Sequence, residues 1–327
     1  MKNFGILVRN YTLLMSVIPI MVALCCAVKM HSESYIVFVI NSILIIIGVL
    51  CIHMFANLFD DYVDIKKQLK KGLELNQINF RSKRKAKMIL NGTYSLIDVK
   101  KILFFLVIAA YLIGMYFVFT KGIIILLFMI ITILLSAFYP VSTKYGLGEI
   151  TVGFIFGPVL INSIYYALTG NFNNVVLYLS LAIGLITIVL LVTQSIMEYD
   201  FDKSEGKKTL PVIVGSQKNG VISIATIISL SYLFIIIGIF KFNLSGLFYL
   251  PIIITLPISY KLVSSLFQFT KQQNNDCIPK FYYGRMENWE SIVQNDFAFF
   301  MFRFYLARNL SVIFNFTLAI VCFIAFA

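Results

Sequence analysis

Stretches of about 20 consecutive apolar residues recur along this chain, and no other feature limits its fold as much. A segment of that kind crosses the hydrocarbon core of a bilayer as a helix, which satisfies its own backbone hydrogen bonds where no water is available. Composition agrees. The chain is 60% hydrophobic and 13% charged, with a mean hydropathy of +0.89, whereas a soluble domain carries roughly 25% charged residues. Apolar runs set against polar breaks predict spans at approximately 11–28, 36–57, 102–119, 122–139, 149–168, 175–195, 221–240, 246–267 and 309–326. The first run is too long for a cleavable signal peptide and lacks a small-residue cleavage site. The expectation is an all-α polytopic membrane protein with about nine transmembrane helices, forming a single membrane-embedded domain over residues 1–327. Within it, residues 268–308 read as an amphipathic cytoplasmic connection, with Tyr282, Tyr283 and Trp289 among charges, and an interfacial helix is its expected form.

Charge sets the orientation. Of the 27 Lys and Arg residues, only Lys29, Lys121 and Lys241 fall on the side opposite the N-terminus, a strong positive-inside bias. The N-terminus is therefore expected in the cytoplasm. The net charge of +12 is explained by topology and attraction to anionic lipid, so nucleic acid is not an expected partner. The five cysteines lie mostly inside apolar runs without metal-type spacing and read as small buried hydrophobes. His31 and His53 are far apart in sequence, which argues against a histidine metal site.

Acidic residues are scarce, and two short clusters stand out. The first is Asn57-Leu-Phe-Asp60-Asp61-Tyr-Val-Asp64, leaving the second span; the other is Gln194-Ser-Ile-Met-Glu198-Tyr-Asp200-Phe-Asp202, leaving the sixth. Both spans descend to the same side, so both clusters are expected at cytoplasmic helix C-termini. There a carboxylate is opposed by the helix dipole and by its neighbours. In a helix, Asn57, Asp61 and Asp64 share one face, as do Gln194, Glu198 and Asp202. Oxygen ligands gathered in this way invite Mg2+. Lys66 and Lys67 follow the first cluster, and Lys203 and Lys207 the second. Carboxylates, a divalent cation and lysines together make a diphosphate site, although each lysine is equally explained by topology.

These motifs, in this order, resemble those of the UbiA superfamily of intramembrane prenyltransferases, and within it the 1,4-dihydroxy-2-naphthoate polyprenyltransferases of menaquinone synthesis. Asn57 to Lys67 is similar to the family's first aspartate motif and its basic sequel. Lys87-Met-Ile-Leu-Asn-Gly-Thr-Tyr-Ser95 resembles the element that opens the third span. Lys144-Tyr145-Gly-Leu-Gly-Glu149, continued by Gly153 to Pro158, is similar to the naphthoate-type signature, and Asp202 to Pro211 resembles the stretch that closes the second motif. The chain departs from the family by carrying Asp60 for Asn, and Gln194 and Glu198 for Asn and Asp.

The resemblance implies a UbiA-type helix bundle in the plasma membrane, with its active site facing the cytoplasm. Mg2+ held by Asp60, Asp61, Asp64, Glu198 and Asp202, with Gln194 beside them, would bind a polyprenyl diphosphate. Asn57 and the lysines, including Lys87 and Lys144, would help to bind the substrate. Ionisation would give an allylic cation, attacked by an activated carbon of an aromatic acceptor. Tyr139 and Tyr145 are candidates to face the cation or acceptor, or else belong to the core or interface. Glu149 either orients the acceptor or favours a helix N-terminus. Gly153 and Gly157 have small-residue spacing suited to helix packing. A specialised-pathway relative using another quinone precursor, a tetrapyrrole or a glycerol phosphate is a nearby alternative. A secondary transporter is a more distant one, disfavoured because the acids gather at one face and no inverted repeat of broken helices is visible.

Overall fold

The computed structural model describes residues 2–9, 12–31, 33–75, 86–142, 144–273, 277–294 and 297–326, and all their regular structure is helical. Short α1 (Lys2–Leu7) and apolar α2 (Leu14–Ala27) precede the long α3 (Tyr35–Lys70). Next come α4 (Lys87–Leu90), α5 (Leu96–Lys121) and α6 (Ile123–Ser142). α7 (Gly148–Phe154) runs through a π-helical turn at Ile155–Val159 into α8 (Leu160–Thr169). α9 (Asn174–Met197), α10 (Tyr199–Ser204), α11 (Leu210–Ile213), α12 (Gln217–Phe242), α13 (Leu250–Thr270), α14 (Trp289–Gln294) and α15 (Ala298–Phe326) complete the chain.

Among the described residues, seven helical stretches are long and apolar enough to cross a membrane. They are α3, α5, Gly148–Thr169, α9, α12, Gly246–Thr270 and α15. α2 and the Ile123–Tyr139 part of α6 are apolar but shorter. Among the described residues the count is thus seven, and the two shorter apolar helices fall where two further spans are expected, at 11–28 and 122–139. The chain is a multi-pass membrane protein.

Two compact units divide these helices. In the first (residues 1–17 and 33–136), α3 lies along α5. α5 starts where Ser95 and Asp98 form a capping box, each accepting a hydrogen bond from the other's backbone N–H. A core of Leu7, Leu58, Ile65, Met88, Ile89, Val99 and Leu103 packs beneath. Ile36, Phe104, Phe105 and Phe119 are strongly exposed. Large apolar side chains turned outward in such numbers suit a helix face against lipid tails.

α3 does not stop at residue 57, where the hydropathy pattern ends. No Gly or Pro falls between residue 57 and Gly72, which takes a left-handed φ of +82°. Ile65 continues the buried stripe begun by Leu58, and Lys67 and Lys70 complement the dipole in the last turn. The first acid cluster therefore lies within a helix and not at its end.

In the second unit (residues 18–32 and 137–327), α9 is central, packed against α7, α12 and α15. Val176, Ala182, Ile183, Ile186, Val189, Val192 and Ile196 along it are fully buried. Gly157 and Gly184 let α9 and the π-helical turn approach backbone to backbone. Pro158 lacks an amide hydrogen and cannot sustain the regular helical bond pattern there. The Pro158 carbonyl accepts from Asn162 Nδ2 at 2.7 Å, and Asn162 also donates to Ser180 Oγ at 3.0 Å.

Between α13 and α15 the described residues hold a 3-10 turn at Phe281–Tyr283 and the six-residue α14. α15 begins at Ala298, upstream of the expected 309, and Arg303 within it is buried with its Nε donating to the Ser265 carbonyl at 2.9 Å. The connection is strapped to α15. Asn309 donates to the Tyr283 carbonyl at 2.8 Å, Tyr305 to the Glu287 carbonyl at 3.0 Å, and Arg308 to the Glu287 carboxylate at 2.7 Å. Burial pushes the Glu287 carboxyl up, but the Arg308 hydrogen bond and charge, a backbone hydrogen bond and the Arg285 charge together hold it below its ordinary value.

Candidate active site

The first acid cluster belongs to the first unit. Asp60 and Asp64 stand one turn apart on α3 and keep part of their surface, with side chains 20% and 28% exposed. Asp61 turns the other way, onto the stripe that carries Leu58 and Ile65, and is 1% exposed. Both of its oxygens are engaged. Oδ1 accepts from Arg9 Nη2, and Oδ2 accepts the Ala86 backbone N–H at 3.0 Å. The same Arg9 nitrogen reaches Asp60 Oδ2 at 3.3 Å. Arg9 and Ala86 each have a left-handed backbone with φ of 54°, which is uncommon without glycine and clusters where structure serves a site.

The α3 turn before this cluster also meets the N-terminal segment. Asn57 Nδ2 donates to the Val8 carbonyl at 3.2 Å and to Thr12 Oγ1 at 2.9 Å. His53 Nε2 lies 3.1 Å from Thr12 Oγ1, and its Nδ1 pairs with Ser16 Oγ. Sequence reasoning missed both Arg9 and His53. Arg9 looks like one more inside-positive charge, and His53 like an isolated polar residue in an apolar run. The four-residue step from His53 to Asn57 to Asp61 was the available signal, since it stacks three polar groups on one helix face.

The lysines of this cluster are placed as follows. Lys67 Nζ is 3.5 Å from Asp64 Oδ1, and Lys66 lies over the Tyr62 ring at 5.5 Å. Lys87 is exposed at the start of α4.

The second cluster lies in the second unit and is bent. α9 ends at Met197, Glu198 joins it to α10, and Asp200 and Asp202 occupy the first turn of α10. The expected continuous face of Gln194, Glu198 and Asp202 is thus interrupted at Glu198. The Asp202 N–H still bonds the Glu198 carbonyl at 2.9 Å. The bend has an electrostatic consequence: a helix start favours carboxylates, where the expected helix end would oppose them. Asp202 is 3% exposed, with Lys207 Nζ 3.4 Å from its Oδ1. Lys207 also lies over the Phe201 ring at 5.5 Å, and Lys203 over Tyr199 at 5.8 Å. Gln194 and Glu198 are half-buried.

Glu149, in the first turn of α7, is 6% exposed. Its Oε1 accepts the Leu210 N–H at 3.0 Å and lies 3.4 Å from Ser195 Oγ. It therefore ties the start of the second cluster, at Ser195, to the chain beyond it, at Leu210. Tyr145 is 67% exposed and stacked on Phe138 at 6.5 Å, Lys144 is exposed, and Tyr139 is half-buried near the end of α6.

No three His, Cys, Asp or Glu side chains converge into a ready metal site among the described residues. By chemistry and exposure, Asp60 and Asp64 fit a hard divalent cation that keeps several waters. Asp61 has each of its oxygens on a protein donor, Arg9 on one side and the Ala86 amide on the other.

A model of the UbiA prenyltransferase family matches residues 16–289, so the chain belongs to the UbiA prenyltransferase family. No curated protein matches the chain in sequence. Three solved structures share its fold. One concerns digeranylgeranylglyceryl phosphate synthase in membranes, with 16% identity, a TM-score of 0.57, and coverage of 99% of this chain and 98% of that one. Another is an apo UbiA homologue from Aeropyrum pernix K1, with 14% identity, a TM-score of 0.57, and coverage of 93% and 97%. The third is a UbiA homologue from Archaeoglobus fulgidus bound to GPP and Mg2+, with 13% identity, a TM-score of 0.54, and coverage of 95% and 99%.

Proposed function

We propose that this chain is an intramembrane prenyltransferase that moves a polyprenyl group from its diphosphate to an aromatic acceptor. The acceptor is 1,4-dihydroxy-2-naphthoate, and the pathway is menaquinone synthesis at the cytoplasmic face of the plasma membrane. The observation that carries this reading is a pair of lysine-flanked carboxylate clusters in a chain of the UbiA prenyltransferase family. The UbiA homologue solved with GPP and Mg2+ supports the choice of donor and cation. The stretch from Lys144 to Glu149 supports the choice of acceptor.

In this reading Asp60 and Asp64 in the first unit, and Glu198 and Asp202 in the second, are the carboxylates that would serve as Mg2+ ligands, and the cation when bound would neutralise the diphosphate and make it a better leaving group. Lys207 and Lys67, now partnered by Asp202 and Asp64, turn to phosphate oxygens as point charges. The allylic C–O bond breaks, and the electron pair leaves with pyrophosphate. An aromatic ring carbon then supplies the pair for the new C–C bond, and the ring loses a proton. Glu149 ties Ser195, at the start of the second cluster, to Leu210 beyond it, and so helps to position Asp202 between them.

Purified protein should be incubated with Mg2+, labelled polyprenyl diphosphate and a panel of acceptors, with products identified by mass spectrometry. Prenylated 1,4-dihydroxy-2-naphthoate is the expected product. Exclusive prenylation of another quinone precursor, a tetrapyrrole or a glycerol phosphate would overturn the acceptor assignment and keep the enzyme class.

A further inference from the structure

Arg9 precedes the residues 16–289 matched by the family model, so the match assigns it nothing. Its Nη2 nonetheless bridges the two adjacent carboxylates of the first acid cluster. Among the described residues, its Nε is buried without a partner. A guanidinium that leaves a buried donor unsatisfied is held in place by its remaining contacts. Here these are a fully buried carboxylate on one side and a partly exposed one on the other.

The two carboxylates differ in what they can still do. Asp61 has one oxygen on Arg9 and the other on the Ala86 amide, and it is closed to water. Asp60 keeps 20% of its side-chain surface, and its bond to Arg9 is long at 3.3 Å. An arriving cation can compete for Asp60. It would have to break two bonds and enter a dry site to reach Asp61.

We propose that Arg9 and Asp61 form a buried charge clamp that closes the N-terminal segment over the first acid cluster. Asp61 is then a positioning residue and not a cation ligand. Arg9 is the resident counter-ion of Asp60, and a divalent cation displaces it there while it stays fastened to Asp61. Asn57 and His53 extend the clamp through Val8, Thr12 and Ser16. This rests on the proposed role of Asp60 as a cation ligand.

The test is Mn2+ binding to the full chain in lipid nanodiscs, followed by electron paramagnetic resonance. Arg9→Gln removes the competitor and should bind Mn2+ at least about 5-fold more tightly than wild type, an ordinary size for coupling between sites. Arg9→Lys keeps the charge and should stay near wild type. The double variant Arg9→Gln with Asp61→Asn leaves no unpaired buried charge, which guards against a folding failure. It should bind Mn2+ at least as tightly as wild type. Loss of Mn2+ binding in the double variant would make Asp61 a ligand and overturn the clamp. Unchanged or weaker binding in Arg9→Gln would overturn the counter-ion role. A wild-type protein that binds no Mn2+ would overturn the cation reading of the cluster itself.

Discussion

Asp202→Ala is expected to abolish prenyl transfer while the protein still inserts and folds. Asp202 is the buried carboxylate of the second cluster, placed in the first turn of α10 and paired with Lys207. Its proposed role is to hold Mg2+ against the leaving diphosphate. Metal stabilisation of transition-state charge is worth several kcal/mol, and each 1.36 kcal/mol is a factor of ten in rate. A loss of at least about 100-fold in kcat/KM follows. The folding consequence should be far smaller: Lys207 is 45% exposed, and pairs of that kind contribute about 0–1 kcal/mol. Asp202→Asn keeps the shape and removes the charge, so it should fall with the alanine variant. Near-normal turnover in either variant, at normal expression, would remove Asp202 from the site.

The largest structural effect is expected at Gly157. A Cβ built there would stand 2.4 Å from the Ser180 carbonyl oxygen, 2.6 Å from Gly184 Cα and 2.7 Å from Gly184 N. All three are backbone atoms, so no side-chain rotation relieves the overlap. The π-helical turn and α9 must move apart, and α9 is the centre of its unit. Overpacking of this kind costs about 1–3 kcal/mol, and a backbone-to-backbone clash belongs at the upper end. Gly157→Ala should therefore lower the thermal stability of the detergent-solubilised protein sharply. Gly238→Ala is the control. Its new methyl would meet only Leu244 Cδ1, at 4.0 Å, and alanine is the better helix former, so stability should hold or rise. Equal stability of the two variants would contradict the close approach of α9 and the π-helical turn.

Much of this architecture was legible because lipid imposes a simple rule. Long apolar runs must be helices, and most of the expected spans coincide with helices of the structure. The packing role of Gly153 and Gly157 was legible from their spacing, and the structure sets both against Gly184. Hydropathy misplaced helix ends for a physical reason. It reports where residues leave the hydrocarbon, whereas a helix ends where its hydrogen bonds or caps fail, which for α3 is beyond Lys70. The bend at Glu198 was hidden, since no Gly or Pro marks it. Arg9 and Asp61 lie 52 positions apart, and no local pattern announces a contact between them. Glu149 and Leu210 pair across a separation of 61, so the tie around the second cluster was hidden in the same way.

The most direct test of the central claim is pyrophosphate release by the purified protein in liposomes. A polyprenyl diphosphate and 1,4-dihydroxy-2-naphthoate are supplied, and Mg2+ is added or chelated. Pyrophosphate and prenylated product are expected in equal amounts, present with Mg2+, absent with chelator, and unchanged by imposed proton or sodium gradients. Gradient-driven solute uptake with neither product nor pyrophosphate would contradict this claim and make the chain a transporter.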